Sequence, residues 1–162
     1  MHGMDGRTVV VTGAASGIGA ATVAALAEAG AHVIAADLAW TTAPPRGDAV
    51  EAVTLDVRRE EAWADLAARL AGAGRIDGLV NAAGVTRRAR LDDVTADDFE
   101  AAYAVNATGP ALGIRFLAPL MVEGGSIVNV GSAAGVMAHY GIAYGASKWA
   151  VRGITKLSLI HI

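Results

Sequence analysis

Five short apolar runs punctuate the chain, at residues 8–11, 32–36, 49–55, 76–81 and 126–130. Val9, Val10 and Val11 do not alternate with polar residues, so the first run predicts a strand buried on both faces, as in a parallel sheet. The segments between the runs keep helical spacing instead: Ile18, Thr22, Ala25 and Ala29 in one, Trp63, Leu66 and Leu70 in another. Gly30 ends the first, and Gly72 and Gly74 end the second. Thr95 followed by Asp98 predicts a capping box that opens a third helix, and a fourth runs from about Gly141 to Lys156. Strand–helix–strand alternation predicts a doubly wound α/β layer with right-handed crossovers, residues 1–162 forming one domain. Residues 38–48, with Pro44-Pro45, read as a surface loop.

Composition removes several function classes. The 162 residues are 54% hydrophobic and 18% charged, which excludes disorder. Only 5% are aromatic while 20 are glycine, a balance that favours close approach of helix to sheet or of backbone to a ligand. Without cysteine there is no disulfide framework and no thiolate metal site, which fits a reducing cytoplasm, the expected location. A formal net charge of -3 gives no footprint for nucleic acid or an anionic membrane. Residues 8–27 carry no charge and are long enough to cross a bilayer, but three glycines interrupt them, and strand, turn and helix describe them better. His2, His32, His139 and His161 lack ligand spacing, so no metal is expected.

The first strand runs directly into Thr12-Gly13-Ala14-Ala15-Ser16-Gly17-Ile18-Gly19. Glycines let a backbone turn sharply and approach a pyrophosphate, and the following helix offers free N–H groups and a partial positive charge. The spacing Gly-x3-Gly-x-Gly is neither the usual dinucleotide fingerprint nor a P-loop. Asp37 supplies context, since a carboxylate at the end of the second strand accepts hydrogen bonds from adenosine ribose hydroxyls. It also repels a 2′-phosphate, and neither Leu38 nor Ser16 brings a compensating cation, so NAD is favoured over NADP.

Lys148 lies four residues after Tyr144, and a helix puts both on one face. An ammonium beside a phenol favours the phenolate and brings a poor acid–base toward the working range. Ser132 follows the fifth strand at the carboxyl edge, where ligands of such sheets bind. Pro110, four residues after Asn106, has no N–H for the Asn106 carbonyl, so a kinked helix is expected at 106–110. The other reading is a helix that ends there and restarts with the proline in its first turn.

Together these segments, with Asp56-Val57 and Asn81-Ala82-Ala83-Gly84, resemble the short-chain dehydrogenase/reductase family in its compact single-domain branch. The likeness extends from Arg7 to about Lys156. It implies a Rossmann-type sheet and NAD(P)-dependent interconversion of a small secondary alcohol and a ketone. By the same resemblance Tyr144 donates or accepts the proton, Ser132 orients the substrate oxygen, Lys148 lowers the tyrosine pKa and binds the nicotinamide ribose, and Asn106 joins them through a water. Gly13, Ser16, Gly17, Ile18 and Gly19 hold the phosphates, Asp56 and Val57 resemble the adenine contacts, and Asn81, Ala82, Ala83 and Gly84 brace the sheet beside the cofactor.

The family continues beyond the catalytic helix with two more strands and a substrate-covering segment. Residues 157–162 are apolar and unlike that continuation, so the chain is expected to be cut short or to end in a non-native tail, with the last strands missing and the edge beyond the fifth strand unpaired. The full-length form is expected to assemble with copies of itself. A non-catalytic dinucleotide-binding fragment is the alternative reading. Arg87, Arg88 and Arg90 read as a solvated loop.

Overall fold

The computed structural model describes residues 3–40, 48–72 and 74–161. Among them, β1 (Thr8–Thr12), β2 (His32–Asp37), β3 (Val50–Thr54), β4 (Ile76–Asn81) and β5 (Met121–Asn129) form one parallel sheet in the order β3-β2-β1-β4-β5. All five apolar runs are strands. The last begins at Met121 rather than Ser126, because Met121 pairs with Ile76 and a register shift follows before Gly78 meets Ser126. Most of the loop expected at 38–48 lies outside the described residues.

Alternation along the central strand decides which helix goes where. Val10 points to one face, where Trp63, Leu66 and Leu70 of α2 (Glu60–Ala71) and Ile114 and Leu117 of α4 (Gly109–Leu117) enclose it. Val9 and Val11 point to the other, against Val23 of α1 (Gly17–Glu28). Val10, Leu79 and Leu117 are fully buried, each contributing about 1.5–3 kcal/mol. β5 is an edge strand, and Val128 on it is half exposed.

The amino-terminal edge of the sheet is closed electrostatically. Asp77 in β4 is buried and accepts the Thr8 N–H of β1 at 2.9 Å. Arg75 covers it with a fork, Nε donating to Oδ2 at 2.9 Å and Nη2 donating to Oδ1. The opposite, carboxyl edge is left to loops.

The capping box forms as expected at the start of α3 (Ala96–Tyr103): the Thr95 hydroxyl accepts the Asp98 N–H at 3.2 Å, and the Asp98 carboxylate accepts the Thr95 N–H at 3.1 Å. The irregularity expected at 106–110 is a π-helical turn over Ala104–Thr108, closed by Gly109 N–H donating to the Ala104 carbonyl. α4 continues directly from it with Pro110 in its first turn, so the helix neither stops nor restarts. The fourth expected helix is α5 (Ile142–Ser158).

Candidate active site

The loop between β1 and α1 is built on close backbone contact. Gly13 has φ +68, and a Cβ there would stand 2.7 Å from the Ala83 backbone. A Cβ on Gly19 would stand 2.0 Å from the Gly13 carbonyl oxygen. The Thr12 hydroxyl accepts the N–H groups of both Ala82 and Ala83 at 3.1 Å, fastening the ends of β1 and β4 together. Ser16 at the head of α1 makes no side-chain cap, so the N–H groups of the first turn point out of the helix end, a place for an anion.

A cleft of about 470 Å³ opens beside this loop. Gly13, Ser16, Gly17, Ile18, Gly19, Asp37, Asp56, Val57, Ala82, Ala83 and Gly84, expected to hold a cofactor or to brace the sheet beside it, line it, and so do Leu38, Leu55, Arg58, Val85 and Val105, which were not assigned to the site. Asp37 accepts the Ala15 N–H through Oδ2 at 2.9 Å and the Ala39 N–H through Oδ1 at 3.2 Å. Each oxygen thus keeps a lone pair for a further donor. Asn81 does not line the cleft and ties two strands of the sheet together. It is buried, and its side-chain amide donates to Asn129 Oδ1 at 2.8 Å, a cross-link between β4 and β5 rather than a cleft residue.

Asp56 holds Arg58 tightly. Oδ1 accepts Arg58 Nε at 2.8 Å and the Arg58 N–H at 3.0 Å, while Oδ2 accepts Nη2 at 2.7 Å. Hydrogen bonding from Arg58 is the chief reason that the Asp56 carboxyl lies below its ordinary range, with burial opposing.

The second group of residues meets at α5. Lys148 is buried, and its ammonium donates to the Val130 carbonyl at 2.9 Å, just beyond β5. Burial pushes its pKa down. A Cβ on Gly84 would stand 3.8 Å from Lys148 Nζ and 3.3 Å from Asn106 Oδ1, so this glycine joins the cleft to the lysine. The Ser132 hydroxyl accepts the Ala134 N–H at 3.1 Å, starting a 3-10 turn (Ala133–Gly135) whose Gly135 would place a Cβ 2.6 Å from the Lys148 carbonyl. Asn106 is buried and fully engaged: Oδ1 accepts the Val85 N–H at 2.8 Å, and Nδ2 donates to the Val85 carbonyl and to Ser147 Oγ, each at 2.9 Å. Ser147 in turn donates to the Tyr144 carbonyl at 2.7 Å. Tyr144 is half-buried, with the His139 ring edge-on at 5.5 Å.

A phenol and a buried ammonium stand one helical turn apart on α5, and Gly84 joins that ammonium to the cleft, an arrangement able to move a proton at an oxygen. Sequence reasoning missed Arg58, Val85 and Ser147. Only Arg58 left a signal, a basic residue immediately after the Asp56-Val57 pair.

No helix among the described residues is long and apolar enough to cross a membrane, and no three acidic or histidine side chains there are grouped to hold a metal ion.

A model of the family described as short chain dehydrogenase matches residues 7–159. Trans-4-hydroxycyclohexanecarboxylate dehydrogenase of Sinomonas cyclohexanicum is 33% identical over 96% of this chain and 66% of its own length. D-threitol dehydrogenase of Mycolicibacterium smegmatis is 38% identical, over 95% of this chain and 64% of its own. The crystal structure of gox2181 superposes with a TM-score of 0.86 at 31% identity, covering 96% of this chain and 66% of that one. The chain therefore spans about two thirds of the length of the relatives it matches.

Proposed function

Since the chain belongs to the short-chain dehydrogenase family, whose members use NAD(P), we propose that it carries the nucleotide site and the proton-transfer residues of an NAD-dependent oxidoreductase. The substrate is a small secondary alcohol or the matching ketone, and the full-length protein assembles with copies of itself. The observation that carries this reading is the convergence of Gly84, Asn106 and Lys148, which joins the glycine-lined cleft to the Tyr144 helix.

The residues present fit a dinucleotide. Gly13 and Gly19 let the loop pack backbone on backbone against Ala83 and against itself, the head of α1 takes a pyrophosphate, and the spare lone pairs of Asp37 suit two ribose hydroxyls. On this reading Asp56 and Val57, after β3, would hold the adenine end, and Lys148, on α5, the nicotinamide ribose. When bound, the nicotinamide supplies or accepts the hydride. Tyr144 gives its proton to the substrate oxygen in reduction and takes it back in oxidation. The Lys148 ammonium binds the nicotinamide ribose, and the Ser132 hydroxyl orients the substrate oxygen. Asn106 holds α5 in register with the Val85 segment, and with it Tyr144. The carboxylate of Asp37 supports NAD over NADP, because a 2′-phosphate there meets a like charge.

Fluorescence titration with NADH and NADPH tests the reading. NADH is expected to bind more tightly, and equal or tighter NADPH binding overturns the cofactor preference. A second reading, a dinucleotide-binding piece without turnover, is favoured by the one third of the relatives' length that this chain does not cover. Binding of NADH without alcohol oxidation supports that alternative.

A further inference from the structure

Asp56, Val57 and Arg58 follow β3 after Leu55 and line the β3 end of the cleft. Leu55 N–H donates to the Asp37 carbonyl at 2.8 Å, which sets this segment beside Asp37. Two neighbouring groups there still have capacity. Oδ1 of Asp56 is saturated by two donors of Arg58, but Oδ2 has accepted one and keeps one lone pair. The Val57 carbonyl takes the Trp63 indole N–H at 2.9 Å, while the Val57 N–H donates to no group among the described residues. One acceptor and one donor therefore lie on adjacent residues.

A 6-amino purine offers the complement of that pair, an amino donor next to the N1 acceptor. A 6-oxo purine reverses both, with a carbonyl next to an N1–H. The contrast lasts only while the carboxylate cannot turn. The guanidinium has a rigid fork that matches a carboxylate at both oxygens, and the ordering is reinforced by the Arg58 N–H on the same Oδ1. A released carboxylate can rotate to accept from N1–H and welcome the wrong base.

We infer that Arg58 is a positioning residue for base recognition: by clamping Asp56 it makes the chain select adenine over hypoxanthine dinucleotides. The inference rests on the nucleotide reading above and extends it to a residue that touches Asp56 and that the proposed reaction does not use. Arg58 is half exposed, so its removal leaves the core intact.

The test is a fluorescence titration with NADH and with reduced nicotinamide hypoxanthine dinucleotide, for the wild type, R58A and R58K, with urea midpoints measured alongside. The wild type is expected to favour NADH by about tenfold or more, and R58A to bring the two affinities within about threefold while leaving the urea midpoint in place. R58K keeps the charge without the fork and is expected to follow R58A. A wild-type ratio retained by R58A, equal weakening of both ligands, or full rescue by R58K overturns the inference. If the wild type binds both dinucleotides equally, the nucleotide reading stands and the role of Arg58 falls. If it binds neither, the nucleotide reading itself fails and takes this one with it.

Discussion

Asn106 and Ser147 lie 41 residues apart in sequence and meet at 2.9 Å, the amide of one donating to the hydroxyl of the other. Ser147 passes the link on to the Tyr144 carbonyl, so the middle of one long helix is pinned to the first turns of another. Three elements thereby share one buried polar junction, the third being the Val85 backbone.

Asn106→Ala removes the three bonds that its side chain makes to Val85 and Ser147, leaving only the bond from Ser147 to the Tyr144 carbonyl. The partly buried Val85 N–H and carbonyl and the buried Ser147 hydroxyl then lose that partner. A loss of about 3 kcal/mol is expected, read as a lower urea midpoint at unchanged slope. An unchanged midpoint shows that the junction adds nothing to stability.

Tyr144→Phe removes a hydroxyl that makes no hydrogen bond among the described residues. The urea midpoint and NADH affinity are expected to stay as they are. On the proposed reading the rate of alcohol oxidation is expected to fall by about 10²–10⁴-fold, the usual worth of a positioned acid–base group. A variant with full rate removes Tyr144 from the proton-transfer role.

Gly13→Ala and Gly17→Ala separate two kinds of constraint. Both positions have positive φ, but a Cβ on Gly17 meets nothing within 4 Å, whereas one on Gly13 strikes the Ala83 backbone at 2.7 Å. Gly17→Ala is expected to cost about 1–2 kcal/mol of conformational strain. Gly13→Ala is expected to cost more and to lower the melting temperature further. Equal losses in the two variants contradict the close approach of the loop to β4.

Acid sensitivity follows from Asp77. The Arg75 fork is the main influence holding its carboxyl below the ordinary 3.8, with the Thr8 N–H assisting and burial opposing. A depressed carboxyl contributes stability that is fully present above 3.8 and is lost as pH falls through its lower, folded value. Asp77→Asn is expected to lose about 2 kcal/mol at neutral pH and to show a flatter acid limb. Parallel pH profiles for the two proteins rule Asp77 out as the source.

The layered fold was legible because each strand carries its own marker. Val9-Val10-Val11 cannot alternate, and Thr95 and Asp98 cap in the order that the capping box requires. The glycine loop and Asp37 were legible for a similar reason, since their chemistry depends on backbone and on a strand end. Arg58 was not, because its partner two residues earlier becomes apparent only when the turn after β3 folds both side chains over the cleft. Ser147 hid between Tyr144 and Lys148, where a serine on a helix reads as surface. Asn81, which the resemblance set among the residues bracing the sheet beside the cofactor, donates its amide across to Asn129 on β5 and does not line the cleft. The proline at 110 marked a disturbance correctly but not its form, since a missing N–H is accommodated by bending or by widening a turn.

That widened turn has a lasting effect on everything after it. One surplus residue advances the helical phase by about 100°. In the phase set by that turn Ile114 and Leu117 face the interior, and Gly113 slips past the indole of Trp63. A related chain one residue shorter in this stretch must redraw its apolar stripe over the following two turns, so length and composition here are tied to change together.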